Sequence, residues 1–535
     1  MKLPPSVADL QRNHVVLELE CIDRMYLNAY VPQLTSEGGI ASFFRGYLGH
    51  RFASTKQAGP MTEAFVRAIR DFIHDQDIPL VRFHKGQRKD DVFQKHLRRF
   101  QAPEGPVFVG VAQEKVRVPR TIRKSFGHGG TIPWIDYTTA MINVYYFYCK
   151  DRDFGPFFLK FSSYFPYAAK LCLNGHEYLK CQLTQRQIPF EALDNGLRSC
   201  ADLPAAQRIC EGLDAAKIDA FFRKWLRILP HPFSPKDRRA GYRYQLSVLQ
   251  AEFSLTQVWD RGVHGRGFFE EVIRENIDLG RPEQVQLIFA RQLQRKTATD
   301  GRCRTRILTE GVTPSLHVYY KNTHLKQYHK EGRALRTETT INNTYDFGVG
   351  RRLHNLPKLR EIGFAANRRV LEVEKLTHDC HLGTQAFQQL QQPIQVEDQR
   401  AAALRFGDPR VQALLAVLVL FCLQPEGFTQ KQLRPLLAQY LGLTESDFTP
   451  GRMSYNLRRL RLHGLIARKP GTHRYHLTPS GLRTALFYTR TYQRVIRPGL
   501  SLLEAAPPND QAKLARAYHW FQTELSEYFA EQRAA

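Results

Sequence analysis

The stretch from Val411 to Leu423, VQALLAVLVLFCL, is the longest apolar run in the chain. It is shorter than the ~18–20 residues that a membrane span requires, so it has to be a helix buried inside a folded unit. The segments that follow are built to cover such a helix. Thr429 is placed to cap GFTQKQLRPLLAQYLG, and Thr449, followed by Pro450, opens TPGRMSYNLRRLRLHGLI. Leu457, Leu460 and Leu465 give that second segment an inward face, and Gly464 ends it. IARKPGTHRYHLT reads as a hairpin about Pro470-Gly471, and SGLRTALFYTRTYQRV closes the unit as a helix. The expected order is three helices, two strands and a last helix.

Charge on this unit is one-sided. Between Thr449 and Tyr475 stand seven Lys or Arg residues and no Asp or Glu. Reading base edges takes exposed Arg, Asn or Ser on a helix, and meeting phosphates takes Lys and Arg at its ends. Arg452, Tyr455, Asn456 and Arg459 are expected to share the exposed helical face, with Arg458 and Arg461 beside them. Lys469, His473 and Arg474 fall on the hairpin. The order resembles the winged-helix form of helix-turn-helix domains. That resemblance implies a recognition helix, a wing and a nucleic-acid partner for residues 408–500.

The whole chain has the same bias. Its 535 residues carry 77 Lys and Arg against 51 Asp and Glu, a net charge of +26. So large a positive charge repels itself and favours a polyanion partner. DNA is favoured and RNA is the alternative. A membrane is not expected as partner, because no apolar run is long enough. The N-terminal MKLPPSVADLQRN lacks a signal-peptide core, so the expected location is cytoplasmic or nucleoid-associated. None of the nine cysteines forms a C-x-x-C pair, which argues against structural zinc and a disulfide framework.

At ~100–200 residues per domain the chain is too long for one core. Residues 1–105 read as an α/β unit, with Asp23 near the middle of an apolar strand or strand pair. Residues 106–200 are an aromatic-rich β segment. Residues 201–295 are read as helical, including GYRYQLSVLQAEFSLTQVW. Residues 296–380 read as a basic antiparallel sheet followed by a helix. The Gln-rich stretch 381–407 is a linker candidate, and 501–535 a C-terminal helix. The fold class expected is α/β or α+β, multidomain, with a mixed or antiparallel central sheet, a helical segment and the C-terminal winged helix.

Two further basic constellations stand out. KVRVPRTIRK carries Lys115, Arg117, Arg120, Arg123 and Lys124 with no acid, as a phosphate-contact loop would. From Tyr319 to Arg336, Lys321, Lys326, Lys330, Arg333 and Arg336 face one acid, Glu331. If strands pair about Glu331-Gly332, alternation puts Tyr328, Lys326, Lys330, Arg336 and Glu338 on one face. Tyr328 is then a candidate nucleophile and Glu338 a metal ligand or base, with Asp23 as a more speculative acid. The pattern Tyr-x-Lys, turn, Leu-Arg-x-Glu resembles a strand pair of rolling-circle replication initiators, which implies tyrosine chemistry with Mg²⁺ or Mn²⁺. Their His-x-His motif is absent. Asp23, Asp90, Asp91 and Glu252 form a second candidate carboxylate set. The blocks FPYAAKLCLNGHEY, YHKEGRALRTETTINN and RMSYNLRRLRLHGLIARKPGTHRY are similar to those of a widespread group of microbial proteins found in several copies per genome. That habit implies mobile elements. The expectation is therefore a nucleic-acid-binding protein, DNA-directed and mobile-element-associated. Its alternatives are a metal-dependent DNA endonuclease or strand-transferase, and an RNA-binding component of a ribonucleoprotein.

Overall fold

Strand-forming segments far apart in the sequence meet in one sheet. The computed structural model describes residues 7–492 except 85, 127–129, 277–302, 311–312, 379, 424–426 and 445, together with 496, 516–517, 520–521 and 523–524. The C-terminal helix expected over 501–535 lies outside these residues, apart from those few positions. The strands are β1 (Val15–Tyr30), β2 (Leu80–Arg82), β3 (Gly105–Phe126), β4 (Gly130–Asp151), β5 (Gly155–Ser162), β6 (Ala169–Asn174), β7 (Phe190–Leu193), β8 (Gly196–Cys200) and β9 (Gln245–Trp259). They continue with β10 (Cys303–Glu310), β11 (Thr313–Tyr320), β12 (Thr323–Lys330), β13 (Ala334–Ile341), β14 (Ile394–Val396), β15 (Gln399–Ala401), β16 (Phe428–Thr429), β17 (Ile466–Arg468) and β18 (Arg474–Leu477).

Eleven of them form a mixed sheet in the order β10-β11-β12-β13-β9-β1-β6-β5-β4-β3-β2. Only the β2–β3 pair is parallel among the described ladders. All four segments marked off between residues 1 and 380 contribute strands to this sheet. The mixed α/β class expected from the sequence is what the chain adopts.

One correction concerns the centre. Residues 245–259, expected to be helical, are β9, which hydrogen-bonds to β1 on one side and β13 on the other. Both faces of this strand are covered, so its apolar residues show no alternation to distinguish it from a buried helix.

One face of the sheet carries the main core. Met25, Leu27, Phe147, Leu159, Phe161, Leu171 and Phe253 pack there with Phe65 and Ile69 of the helix Gly59–Asp75 and Phe222 and Trp225 of the helix Ala215–Ile228. A long helix, Leu356–His378, lies along β9 and β13 on this side. Its Asn367 accepts from Thr339 Oγ1 at 2.7 Å and donates to the Phe253 carbonyl at 2.9 Å.

The long helix then enters a second core. Val373 joins Leu414, Leu418, Leu433, Leu457, Leu460 and Leu486 there. This C-terminal unit consists of the helices Pro409–Val419, Gln430–Tyr440, Pro450–Leu462 and Pro479–Thr491, with β16, β18 and β17 side by side. Thr429, Thr449 and Thr478 each cap the helix that follows through their side-chain oxygens. The stretch read as a linker, 381–407, is ordered structure instead. It contains a helix, Thr384–Gln391, and the β14–β15 hairpin, and Leu404 is fully buried. No helix among the described residues is long and apolar enough to cross a membrane.

Candidate functional site

The second face of the great sheet carries a small aromatic core at one end, where Phe93, Phe108, Tyr148 and Phe158 pack, and is otherwise largely polar. Residues directly opposite one another on neighbouring strands share a face. Lys160 stands opposite Tyr146 and Lys170, Lys170 opposite Asn28, and Cys172 opposite Tyr26. Tyr26 is opposite Gln250, Thr340 opposite Glu252, and Glu338 opposite both Ser254 and Lys326. Arg336 is opposite Thr256 and Tyr328, and Tyr328 opposite Ser315. A single half-buried polar floor therefore crosses the sheet from β4 to β11.

At its centre the β1–β9 ladder shifts register between Ile22 and Met25, which bulges Asp23 and Arg24 out opposite Glu252. Bulges re-aim side chains in this way. Arg336, fully buried, binds what the bulge delivers. Its Nη2 donates to Asp23 Oδ2 at 2.5 Å and lies 2.9 Å from His176 Nε2. Its Nε is 2.5 Å from Glu338 Oε1, and its Nη1 donates to the Asn195 carbonyl. Asn195 sits in the β7–β8 turn and donates to Asp23 Oδ1 at 2.6 Å. His176 Nε2 is also 2.9 Å from Ser254 Oγ.

The titration behaviour follows from this packing. Burial acts to raise Asp23, but Arg336, with His176 and Asn195, outweighs it and holds the carboxyl below its usual range. Burial raises Glu338, with Arg336 opposing and Asp23 reinforcing. Glu252 is pushed up to about 7 by burial and by the charges of Asp23 and Glu338.

Tyr328 donates its hydroxyl to Glu338 Oε1 at 2.9 Å, and Lys326 Nζ sits 4.3 Å from its ring centre. Burial and Glu338 raise the phenol well above its ordinary range. Lys330 lies 3.7 Å from Asp194. The strand pair thus brings Tyr328, Lys326, Arg336 and Glu338 together as the alternation required, and the β1 bulge adds Asp23. The arrangement does not fit the Mg²⁺ or Mn²⁺ of the nuclease alternative, because Arg336 already supplies the cation between Asp23 and Glu338. The oxygens of Asp23, Glu252 and Glu338 do not converge as a ligand set; among the described residues His14, Asp260 and His264 do. Asp90 is held 3.8 Å from Arg24, while Asp91 pairs at 3.9 Å with Arg88.

Sequence reasoning missed Glu114 and Lys89 at the other end of this floor. Glu114 accepts from Lys160 at 2.7 Å, from Lys89 at 3.2 Å and from the Tyr146 hydroxyl. It missed His176 and Asn195 as well. The Asn195-Gly196 dipeptide, a hairpin signal, was the clue to the turn that covers Arg336.

KVRVPRTIRK proves to be part of β3 and not a loop. Alternation splits its bases between the two faces. Arg117 stacks on Tyr137, Arg120 pairs with Asp136 at 3.7 Å, and Lys124 lies over Trp134. Lys115, Arg117, Arg120, Arg123 and Lys124 are all exposed, but they form no single phosphate cradle. Lys321, in the β11–β12 turn, donates to the Asp346 carbonyl at 2.8 Å.

In the C-terminal unit, a crevice of about 400 Å³ opens between Gln430–Tyr440, Pro450–Leu462 and the β17–β18 hairpin. Lys431, Ser454, Arg458, Arg461, His473 and Tyr475 are among its lining residues, and no carboxylate is. Arg452, Tyr455 and Arg458 are exposed, and Arg458 lies over the Tyr455 ring. Arg459 is a correction. It points away from this crevice and donates to the carbonyls of Ala402 and Ala403, so it anchors the helix to the β14–β15 region. Asn456 donates to the Arg452 carbonyl and Arg474 to that of Gly427. Lys469 is half-buried and His473 exposed on the hairpin. No known protein family, curated protein or solved structure matches the chain.

Proposed function

We propose that this protein binds nucleic acid, duplex DNA in the first place, and that its C-terminal unit acts as a winged helix. The observation that carries the reading is the crevice between the helix Pro450–Leu462 and the β17–β18 hairpin. Lys431, Arg458, Arg461 and His473 line it, and no acid balances them. A major groove admits one helix, and guanidinium groups beside that helix meet both base edges and phosphates. In this reading Pro450–Leu462 is the recognition helix and the hairpin the wing. The net charge of +26 supplies long-range attraction to the polyanion. The mobile-element association is an extension of this reading that rests on sequence resemblance.

The test is equilibrium binding of the full chain to duplex DNA, single-stranded DNA and RNA across a salt series. The triple variant Lys431→Ala, Arg458→Ala, Arg461→Ala is expected to weaken duplex binding. It should also flatten log Kd against log salt by about 0.9 per lost phosphate contact. Arg459→Ala, made for comparison, should leave that slope in place. Unchanged affinity and slope in the triple variant would remove the crevice as the contact. Tighter binding of RNA than of duplex DNA would move the partner to RNA.

A further inference from the structure

Three elements end at one corner of the sheet. His14 closes the helix Val7–His14 immediately before β1, and Asp260 follows the last residue of β9. The Asp260 amide donates to the His14 carbonyl at 2.9 Å, which fixes the two chain segments side by side. His264 lies four residues on, in the first turn of the helix Gly262–Asn276. His14 Nδ1 is 3.0 Å from Asp260 Oδ2, and His264 Nδ1 is 2.7 Å from Asp260 Oδ1. The two imidazole rings lie 3.7 Å apart, centre to centre. One ligand atom from each residue falls within 4.8 Å of the other two.

We propose that His14, Asp260 and His264 form a binding site for a borderline transition-metal ion of the Zn²⁺ or Co²⁺ type. A tetrahedral ion with bonds of ~2.0–2.1 Å holds its ligand atoms roughly 3.3 Å apart. The Asp260 oxygens already lie 3.0 Å and 2.7 Å from the two Nδ1 atoms, and all three ligand atoms fall within 4.8 Å of one another, so side-chain adjustments of under about 1.5 Å bring them to that spacing. Neutral imidazoles make this change by carrying their proton on Nε2, which frees the Nδ1 lone pair for the ion. The Asp260 carboxylate, with one oxygen beside each Nδ1, supplies the anionic ligand. Two nitrogens and one oxygen suit Zn²⁺ or Co²⁺, whereas Mg²⁺ demands oxygen ligands. Three protein ligands leave a fourth position for water or another donor.

The corner is structurally connected to the polar floor. The Trp259 amide donates to the Arg333 carbonyl at 3.1 Å, and Gly262 packs so closely on the Gly332 carbonyl that a Cβ there would lie 2.4 Å from it. A bound ion would thus tie the helix Val7–His14 and the helix Gly262–Asn276 to the turn of the β12–β13 hairpin, which carries Tyr328 and Arg336. This site is independent of the nucleic-acid reading.

The experiment uses the tag-free full chain, stripped with chelator and titrated with Co²⁺. The expected result is one Co²⁺ per chain with visible d–d bands of low-symmetry, nitrogen- and oxygen-ligated cobalt. Zn²⁺ displaces it and millimolar Mg²⁺ does not. His264→Gln and Asp260→Asn, each checked by circular dichroism, should lower Co²⁺ affinity at least tenfold. Absence of stoichiometric binding by the folded wild type overturns the proposal. So does a thiolate charge-transfer band, which would place the ion on cysteines. So does unchanged affinity in both folded variants.

Discussion

Removing the Arg336 guanidinium leaves the Asp23 and Glu338 carboxyls buried with no cation between them. Arg336→Met is therefore expected to cost about 3–5 kcal/mol of stability, measured by urea unfolding. Adding Asp23→Asn and Glu338→Gln to that variant should recover most of the loss, because the uncompensated charges then disappear. A single-variant cost under about 1 kcal/mol would contradict the ion-pair account. Glu252 gives a pH signature of opposite origin. Its carboxyl is raised from 4.5 to about 7, so the protonated form is the one the fold favours. That contribution is complete below pH 4.5 and is lost as pH rises through 7, by on the order of 2–3 kcal/mol. Glu252→Gln should flatten the decline in stability between pH 5 and pH 8, and an unaltered slope would exclude Glu252 as its source. At this scale the sequence was partly legible. Tyr328, Lys326, Arg336 and Glu338 share a face because alternation and one turn dictate it. Asp23 reaches them only because a bulge, invisible in any local pattern, turns it toward β9. Arg459 was misread for the converse reason: helical spacing tells which residues share a stripe, but not that Ala402 and Ala403 present carbonyls to that stripe.

Among the elements, β9 and the long helix Leu356–His378 depend on each other. Gly363 faces Phe253 so closely that a Cβ there would lie 2.2 Å from the ring. The ring sits on a central strand and cannot withdraw, so the helix has to lift. Gly363→Ala should destabilise the chain by about 1–3 kcal/mol despite the better helix propensity of alanine. Differential scanning calorimetry checks this, and a stabilised variant would show that the helix yields freely. This contact also explains the misreading of β9. Covered by the helix on one face and by polar groups on the other, the strand loses the two-residue period that marks other strands of the sheet such as β5 and β6. The C-terminal helices were easier to read, since threonine caps and prolines at their first turns are local signals that need no partner.

Among the described residues the two largest cores share one helix. Leu356, Leu359 and Ile362 lie in the core of the great sheet, and Val373 lies in that of the C-terminal unit. Between them Arg369 reaches across, with Nε donating to the Cys422 carbonyl at 2.8 Å and Nη2 to the Leu477 carbonyl at 3.4 Å. Its third partner, Glu372 at 2.6 Å, is on the same helix and holds the guanidinium in place. Charged hydrogen bonds of this kind contribute roughly 1.5–3 kcal/mol each when partly buried. They are polar ties between the long helix and the unit carrying the basic crevice. If they transmit stability, loss of Arg369 should separate the two cores energetically without disordering either. Arg369→Ala is thus expected to split one thermal unfolding transition into two, with the C-terminal core melting first. Hydrogen exchange would then report faster opening of Pro450–Leu462 than of β9. Bound duplex DNA should raise the lower transition more than the upper in the variant, and shift the single transition in the wild type. One undivided transition in Arg369→Ala would mean that apolar packing around Val373 alone couples the two cores.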